Sequence, residues 1–323
     1  MKAVVFHHYG SPGVLTLADV PTPTPGEGEV LLRVMAASIN PMDQACLLGQ
    51  PYAFRMKLGW RRPKRTCLGA DVAGVVEAVG PGVQEFKPGD DVFGTATGGS
   101  FAQYASARAA ALAPKPACLS FEEAAALPVA GLTALQSVRD KGQLVPGQSV
   151  LINGAAGGVG SFAVQIAAAL GAQVTGVCST RNVTMVELLG AARAIDYTQE
   201  DFTRAPARYD VLIDCVGNHG LLACCGVLQE RGRFVLVGGK GGAVFGPLAR
   251  VLGVLVLSLF VSQELVLMMA RLKQEDLRAL AALAERGVLR PHVDRRYRLA
   301  ETAEAMRYHG QGHARGKVVI TTA

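Results

Sequence analysis

Apolar and polar residues alternate with a period of two in several short runs of the first 120 residues. The runs at 2–6, 29–36, 73–79 and 91–93 are predicted strands. Turn-forming clusters lie between them at 21–29, 80–83 and 87–91. Strands this short, with this punctuation, predict a barrel-like β domain. Near Phe121 the period lengthens to that of a helix over 121–127, broken by Pro128. A second helical run goes from Gly131 to about Lys141 and ends at the turn 145–148. Beyond it, strands and helices alternate. Strands are predicted at 150–152, 174–178, 194–197, 209–215 and 233–237, with helices near 183–189 and 220–228. These strands are apolar on both faces, as a covered parallel sheet requires. A late helix is predicted over about 275–285. Strand-like tails at 295–302 and 317–321 are expected to return to the first domain. The chain is therefore expected to be α/β. Residues 1–122 with 263–323 make the β domain, and 123–262 make a cofactor domain with a parallel sheet.

The stretch 149–182 carries the strongest local signal. A short apolar strand runs into a turn holding Gly154, Gly157, Gly158 and Gly160; a helix follows, stops at Gly171, and leads to the strand 174–178. This order and spacing are the first half of a Rossmann unit. The glycines let the backbone approach a pyrophosphate. The helix N-terminus offers unpaired N–H groups and the positive end of its dipole. The end of the second strand then bears on the choice of dinucleotide. An NAD site usually carries Asp or Glu there, whereas this chain has Ser179, Thr180, Arg181 and Asn182. Hydroxyls, an amide and a guanidinium suit a 2′-phosphate that a carboxylate would repel, so NADPH is the expected cofactor.

Composition narrows the class. Half of the 323 residues are hydrophobic and 38 are glycine, enough for a sizeable α/β core. The net charge of +6 shows as small clusters, Arg61, Arg62, Lys64 and Arg65, and Arg295, Arg296 and Arg298. Attraction of an anionic cofactor accounts for them at least as well as nucleic acid does. Seven cysteines with no CxxC spacing read as reduced thiols in a cytoplasmic protein. Met1 leads straight into the first strand, so no leader peptide is expected. The apolar run 251–261 is shorter than the roughly 20 residues a bilayer span needs, so it is expected to be buried or at an interface.

Several blocks, in this order, carry a family resemblance: Ala37-Ser-Ile-Asn-Pro-Met-Asp43, Leu68-Gly-Ala-Asp-Val-Ala-Gly-Val-Val-Glu-Ala-Val-Gly80, Phe86-Lys-Pro-Gly-Asp-Asp-Val-Phe-Gly94, Ala124-Ala-Ala-Leu-Pro-Val-Ala-Gly-Leu-Thr-Ala134, Gly154-Ala-Ala-Gly-Gly-Val-Gly160 and Gly312-His-Ala-Arg-Gly-Lys317. Nearly end to end, the chain resembles the zinc-free, quinone oxidoreductase type of medium-chain dehydrogenase/reductase. The resemblance implies a GroES-like β domain beside the Rossmann domain. Zinc enzymes of that superfamily place a cysteine where this chain has Asn40, and a histidine–glutamate pair where it has Ala70 and Asp71. The six histidines are mostly scattered, and Gly310 and Gly312 argue against a helix face shared by His309 and His313. No metal site is expected.

The resemblance and the fold together imply the site. Ala156, Gly157, Gly158 and Val159 are expected at the pyrophosphate, and Ser179, Thr180, Arg181 and Asn182 at the 2′-phosphate, flanked by Tyr197. Cys215, Val216, Gly217 and Asn218 are expected beside the nicotinamide ribose or the adenine edge, Gly238 and Gly239 by the nicotinamide, and Thr133 at the nicotinamide or its phosphate. Phe260 is expected to cap the nicotinamide, and His313, Ala314 and Arg315 to close over the cofactor. Asn40 and Tyr52 are the candidates beside a substrate carbonyl. The implied activity is metal-independent hydride transfer from NADPH to quinones or α,β-unsaturated carbonyls, substrates that delocalise the incoming charge themselves. The alternative is a non-enzymatic NADPH-binding fold that binds nucleic acid or a protein partner. That reading needs a basic stripe or exposed aromatics, and 61–65 is its one candidate patch. In the resembling family a sixth cofactor-domain strand pairs across a two-fold axis, so a homodimer is expected, using part of the apolar stretch 243–261.

Overall fold

The computed structural model describes residues 1–238 and 246–322, with 246–250 described as helical backbone only. The chain forms two units, Met1–Leu132 with Leu272–Ala323, and Thr133–Arg271. The sequence placed these divisions at 122/123 and 262/263. The first unit is a mixed β fold. Its N-terminal strands are β1 (Lys2–Val5), β2 (Thr16–Asp19), β3 (Glu29–Ser38), β4 (Asp71–Val79), β5 (Asp91–Thr95), β6 (Tyr104–Arg108) and β7 (Leu112–Pro114). The second unit carries β8 (Ser149–Asn153), β9 (Gln173–Cys178), β10 (Arg193–Asp196), β11 (Tyr209–Asp214), β12 (Leu228–Leu236) and β13 (Glu264–Leu267). The chain then returns to the first unit with β14 (Val293–Arg298) and β15 (Lys317–Thr321).

In the first unit β1 pairs with β2. The other strands form one sheet in the order β14-β15-β3-β4-β5-β7, with β6 also on β3. Alternation along β3 and β4 puts Val30, Leu32, Val34, Val72 and Val76 into one core with Phe86, Val92 and Leu112. Phe6, Ile39, Leu47, Leu68, Phe101, Met306 and Ile320 make another. A capping box starts the helix Phe121–Ala126. Glu123 N–H donates to Ser120 Oγ at 3.2 Å, and Ser120 N–H to Glu123 Oε2 at 2.9 Å.

The second unit is a six-stranded, wholly parallel sheet in the order β10-β9-β8-β11-β12-β13. That is the Rossmann order. Leu151, Val177, Ile195, Leu212 and Phe234 form its core with Phe202 and Val254. Two expectations are corrected here. The stretch expected to supply an edge strand instead holds the helix Gly246–Leu257, and the sixth strand is the short β13 after it. Residues 243–245 lie outside the described residues. Val254 is buried while Leu252, Leu255, Val256 and Leu259 are exposed, so one helical face packs and the others do not. An all-round apolar stretch hides its own period, and the sequence pattern misses it. The tail is also more helical than expected: β14 ends at Arg298, and the helix Thr302–Gly310 follows. Among the described residues no helix is long and apolar enough to cross a membrane.

Candidate active site

Chemistry-bearing residues gather in both units. In the second, parallel strands bring their carboxyl ends to one edge of the sheet. The turn after β8 leads into the helix Gly158–Ala169, whose N-cap residue, Gly157, makes no side-chain cap hydrogen bond. Gly154 sits at φ +85°, and a Cβ on Gly160 would fall 2.1 Å from Gly154 O. Only glycine fits there, and the turn stays close and bare, which suits a pyrophosphate on the first-turn N–H groups. At the end of β11 the buried Asp214 organises the next turn. Its Oδ1 accepts from Val216 N–H at 3.1 Å, Gly217 N–H at 2.8 Å and Asn153 Nδ2 at 2.9 Å. Asn153 Nδ2 also donates to Asn218 Oδ1 at 2.9 Å. Burial, and then the charge of Asp214, push the Cys215 thiol far up, so it stays protonated. A Cβ on Gly238 would meet Cys215 O at 2.4 Å. The turn 215–218 and Gly238 therefore share the strand ends; Gly239 lies outside the described residues.

The end of β9 differs from the sequence reading in one respect. Thr180 Oγ1 donates to Asp196 Oδ2 at 2.6 Å, an acid supplied by the neighbouring β10. Bonds from Thr180 first, then Thr198 and Gln199, hold that carboxyl below the usual range, so it is charged at neutral pH. The Thr180 hydroxyl hydrogen is thus committed to a carboxylate. Ser179, the exposed Arg181 and Asn182 stand beside Thr180. Asn182 Nδ2 donates to Ser179 Oγ at 3.0 Å, and its buried Oδ1 has no partner among the described residues. An orphaned acceptor there suits a ribose hydroxyl. Tyr197 is exposed beside Asp196.

The first unit holds a buried polar network. Asn40 caps the helix Pro41–Leu48 through a bond from its own N–H to Asp43 Oδ2 at 2.8 Å. Its side chain is used at both ends: Nδ2 donates to Asp71 Oδ2 at 2.9 Å, and Oδ1 accepts from Lys317 Nζ at 2.7 Å. Lys317 also donates to Ile39 O at 3.1 Å and lies 3.3 Å from Asp71 Oδ2. Ser38 Oγ donates to the same carboxylate at 2.7 Å, and Val129 N–H to its other oxygen at 2.9 Å. Lys317 is 4 % exposed and Asp71 is 0 % exposed. Asn40 is therefore a bracket between an ammonium and a carboxylate, rather than a free donor toward a carbonyl. Burial pushes the Asp43 carboxyl up to about 6, against the N–H bonds of Asn40 and Gly69. Burial, then the Lys317 charge, push His309 down to about 4.

The other predicted residues are spread over both units. Tyr52 is exposed and lines an open depression of about 500 Å³ with Arg55, Trp60 and Arg61. Thr133 is buried in the helix Pro128–Gln136, and Phe260 is exposed after the helix Gly246–Leu257. His313, Ala314 and Arg315 belong to the first unit, where Arg315 N–H donates to Asp294 Oδ2 at 3.0 Å. Sequence reasoning missed Asp71, Lys317, Asp196 and Asp214 as site-forming groups. The available signal for Asp214 was a lone acid ending an apolar strand.

Comparison with known proteins places this geometry. The alcohol dehydrogenase GroES-like domain family matches residues 26–117, and the zinc-binding dehydrogenase family matches 189–320. A quinone oxidoreductase of Lama guanicoe is 34 % identical over 99 % of this chain and 97 % of its own. The chain belongs to the quinone oxidoreductase-like family of medium-chain dehydrogenases/reductases. An NADPH-dependent alkenal/one oxidoreductase of Arabidopsis thaliana chloroplasts is 33 % identical over 99 % of this chain and 79 % of its own. The structure of the quinone oxidoreductase from Coxiella burnetii matches with a TM-score of 0.88 at 32 % identity, covering 100 % of this chain and 99 % of that one. The α/β fold, with its GroES-like and Rossmann parts, and the oxidoreductase class follow from that membership.

The zinc of the wider superfamily does not fit the residues here. Asn40 and Ala70 replace soft or nitrogen ligands, and Asp71 already holds the Lys317 ammonium. Among the described residues no three His, Cys, Asp or Glu side chains are placed to hold a metal ion.

Proposed function

We propose that this oxidoreductase reduces quinones and α,β-unsaturated carbonyls with NADPH and without a metal ion. The observation that carries the reading is the Lys317 ammonium on Asp71 and Asn40, where zinc relatives keep ligands. An enzyme with no Lewis acid is restricted to acceptors that spread the incoming charge onto their own oxygen. NADPH supplies the hydride when bound. The bare helix start at Gly158 holds its pyrophosphate, Ser179, Arg181 and Asn182 take the adenosine ribose and its phosphate, and Asp214 fixes the turn 215–218 beside Gly238 for the nicotinamide half. Asn40, held between the Lys317 ammonium and the Asp71 carboxylate, is a positioning residue rather than a proton donor. Seven free thiols support a reducing, cytoplasmic setting. In an NADPH-oxidation assay a naphthoquinone and an alkenal are expected to turn over, and a saturated ketone not. Prolonged chelation is expected to leave the rates unchanged, with well under one zinc per chain. Activity lost to chelator and restored by zinc would overturn the reading. No turnover with any acceptor would favour the non-enzymatic alternative.

We also propose a homodimer through β13. This strand ends the sheet order, pairs among the described residues with β12 alone, and is followed by the exposed Met269. An unpaired edge with apolar neighbours is a template for a second copy. Light scattering at micromolar concentration is expected to give twice the chain mass, and Val266→Arg to give a folded monomer. A monomer mass for the wild-type protein removes the dimer.

A further inference from the structure

We propose that residues 51–65 are a docking surface for an anionic phospholipid membrane. Between Asp43 and Asp71 the chain has no acidic residue. It has six basic ones there, Arg55, Lys57, Arg61, Arg62, Lys64 and Arg65, which equal the net charge of the whole protein, +6. Five of them, all but Arg55, are exposed and have no ion-pair partner among the described residues. Large apolar side chains are exposed on the same segment: Met56 is 77 % exposed, Trp60 68 %, Tyr52 43 % and Phe54 39 %.

The exposure is built, not frayed. The Arg55 guanidinium lies over the Tyr9 and Tyr52 rings, 4.5 and 4.8 Å from their centroids, and its Nε donates to Gly49 O at 3.0 Å. Tyr9 Oη donates to Gly59 O at 2.6 Å, and Lys64 N–H to Leu58 O at 2.7 Å. Gly59 has φ +116°, and a Cβ on it would fall 2.1 Å from Arg62 O, so the turn that presents Trp60 needs a glycine. The fold thus holds apolar side chains in water beside cations that have no acidic partner among the described residues.

A lipid headgroup layer answers both features. Phosphates and carboxylates of anionic lipids meet the cations, and the interface takes Trp, Tyr, Phe and Met side chains at acyl-chain depth. A nucleic acid answers only the first well. It takes aromatic rings for stacking but gives nothing to an exposed thioether such as Met56.

Trp60 is the single tryptophan of the chain, so its emission reports on this surface alone. The wild-type protein, without NADPH or acceptor, is titrated with phosphatidylcholine vesicles with and without phosphatidylserine. Emission is expected to shift to the blue, and the protein to sediment, only with the anionic vesicles. Both effects should fade as salt rises. Each basic side chain near such a surface is worth about fivefold in partitioning, so Arg61→Glu with Arg62→Glu is expected to weaken binding about 25-fold or more. Lys64→Glu with Arg65→Glu is a second, independent pair, and far-UV circular dichroism checks the fold of both. Absence of binding to anionic vesicles at low salt overturns the proposal, as does equal binding to neutral ones. A single-stranded oligonucleotide that quenches Trp60 at lower concentration than the vesicles reassigns the surface to nucleic acid and also overturns it.

Discussion

Replacing Lys317 by methionine is expected to destabilise the protein by about 3–5 kcal/mol, the cost of leaving a buried carboxylate without its cation. At a few degrees per kcal/mol, the melting temperature should fall by roughly 10 °C. Three acceptors lose a donor at once: Asn40 Oδ1, Ile39 O and Asp71 Oδ2. Asp71 keeps its bonds from Ser38, Asn40 and Val129, which limits the loss. The pairing can be separated from simple packing. Lys317→Met with Asp71→Asn removes both charges, and its cost should be less than the sum of the single changes, with a coupling of about 1–3 kcal/mol. Denaturant unfolding of the four proteins measures it. Additive costs, or a loss below about 1 kcal/mol for Lys317→Met, would mean that the ammonium and the carboxylate do not depend on each other.

The wild-type protein is expected to bind NADPH at least about tenfold tighter than NADH, since charge-assisted bonds to a 2′-phosphate contribute about 1.5–3 kcal/mol. Arg181→Ala should narrow that margin. Asp196→Asn should widen it, by roughly threefold to tenfold, because it removes a charge that repels phosphate. It also releases the Thr180 hydroxyl from the bond at 2.6 Å. Calorimetric titration with both dinucleotides decides the matter. Equal affinities in the wild-type protein would sink the assignment. An unchanged ratio in Asp196→Asn would place that carboxylate outside the phosphate site.

What the sequence by itself determined is what local chemistry dictates. The glycine turn 154–160 and the βαβ alternation around it are local, so their meaning survives without a fold. That Asn40 and Ala70 stand where zinc relatives place ligands rested on the family resemblance, which contiguous blocks carry without a fold. Tertiary structure decided the rest, because it joins residues far apart in the chain. Lys317 reads as a surface lysine until β15 is laid beside β3, which brings it to Asp71 and Asn40 across more than 240 positions and buries all three. Thr180 reads as free to meet a phosphate until the parallel pairing of β9 with β10 sets Asp196 next to it. The run 251–261 is apolar on every side and so has no period to read; packing alone made it a helix and left the edge to β13. Hydrogen bonds and charge pairs act over about 3 Å of space, whatever the separation along the chain, and pairing register sets that distance.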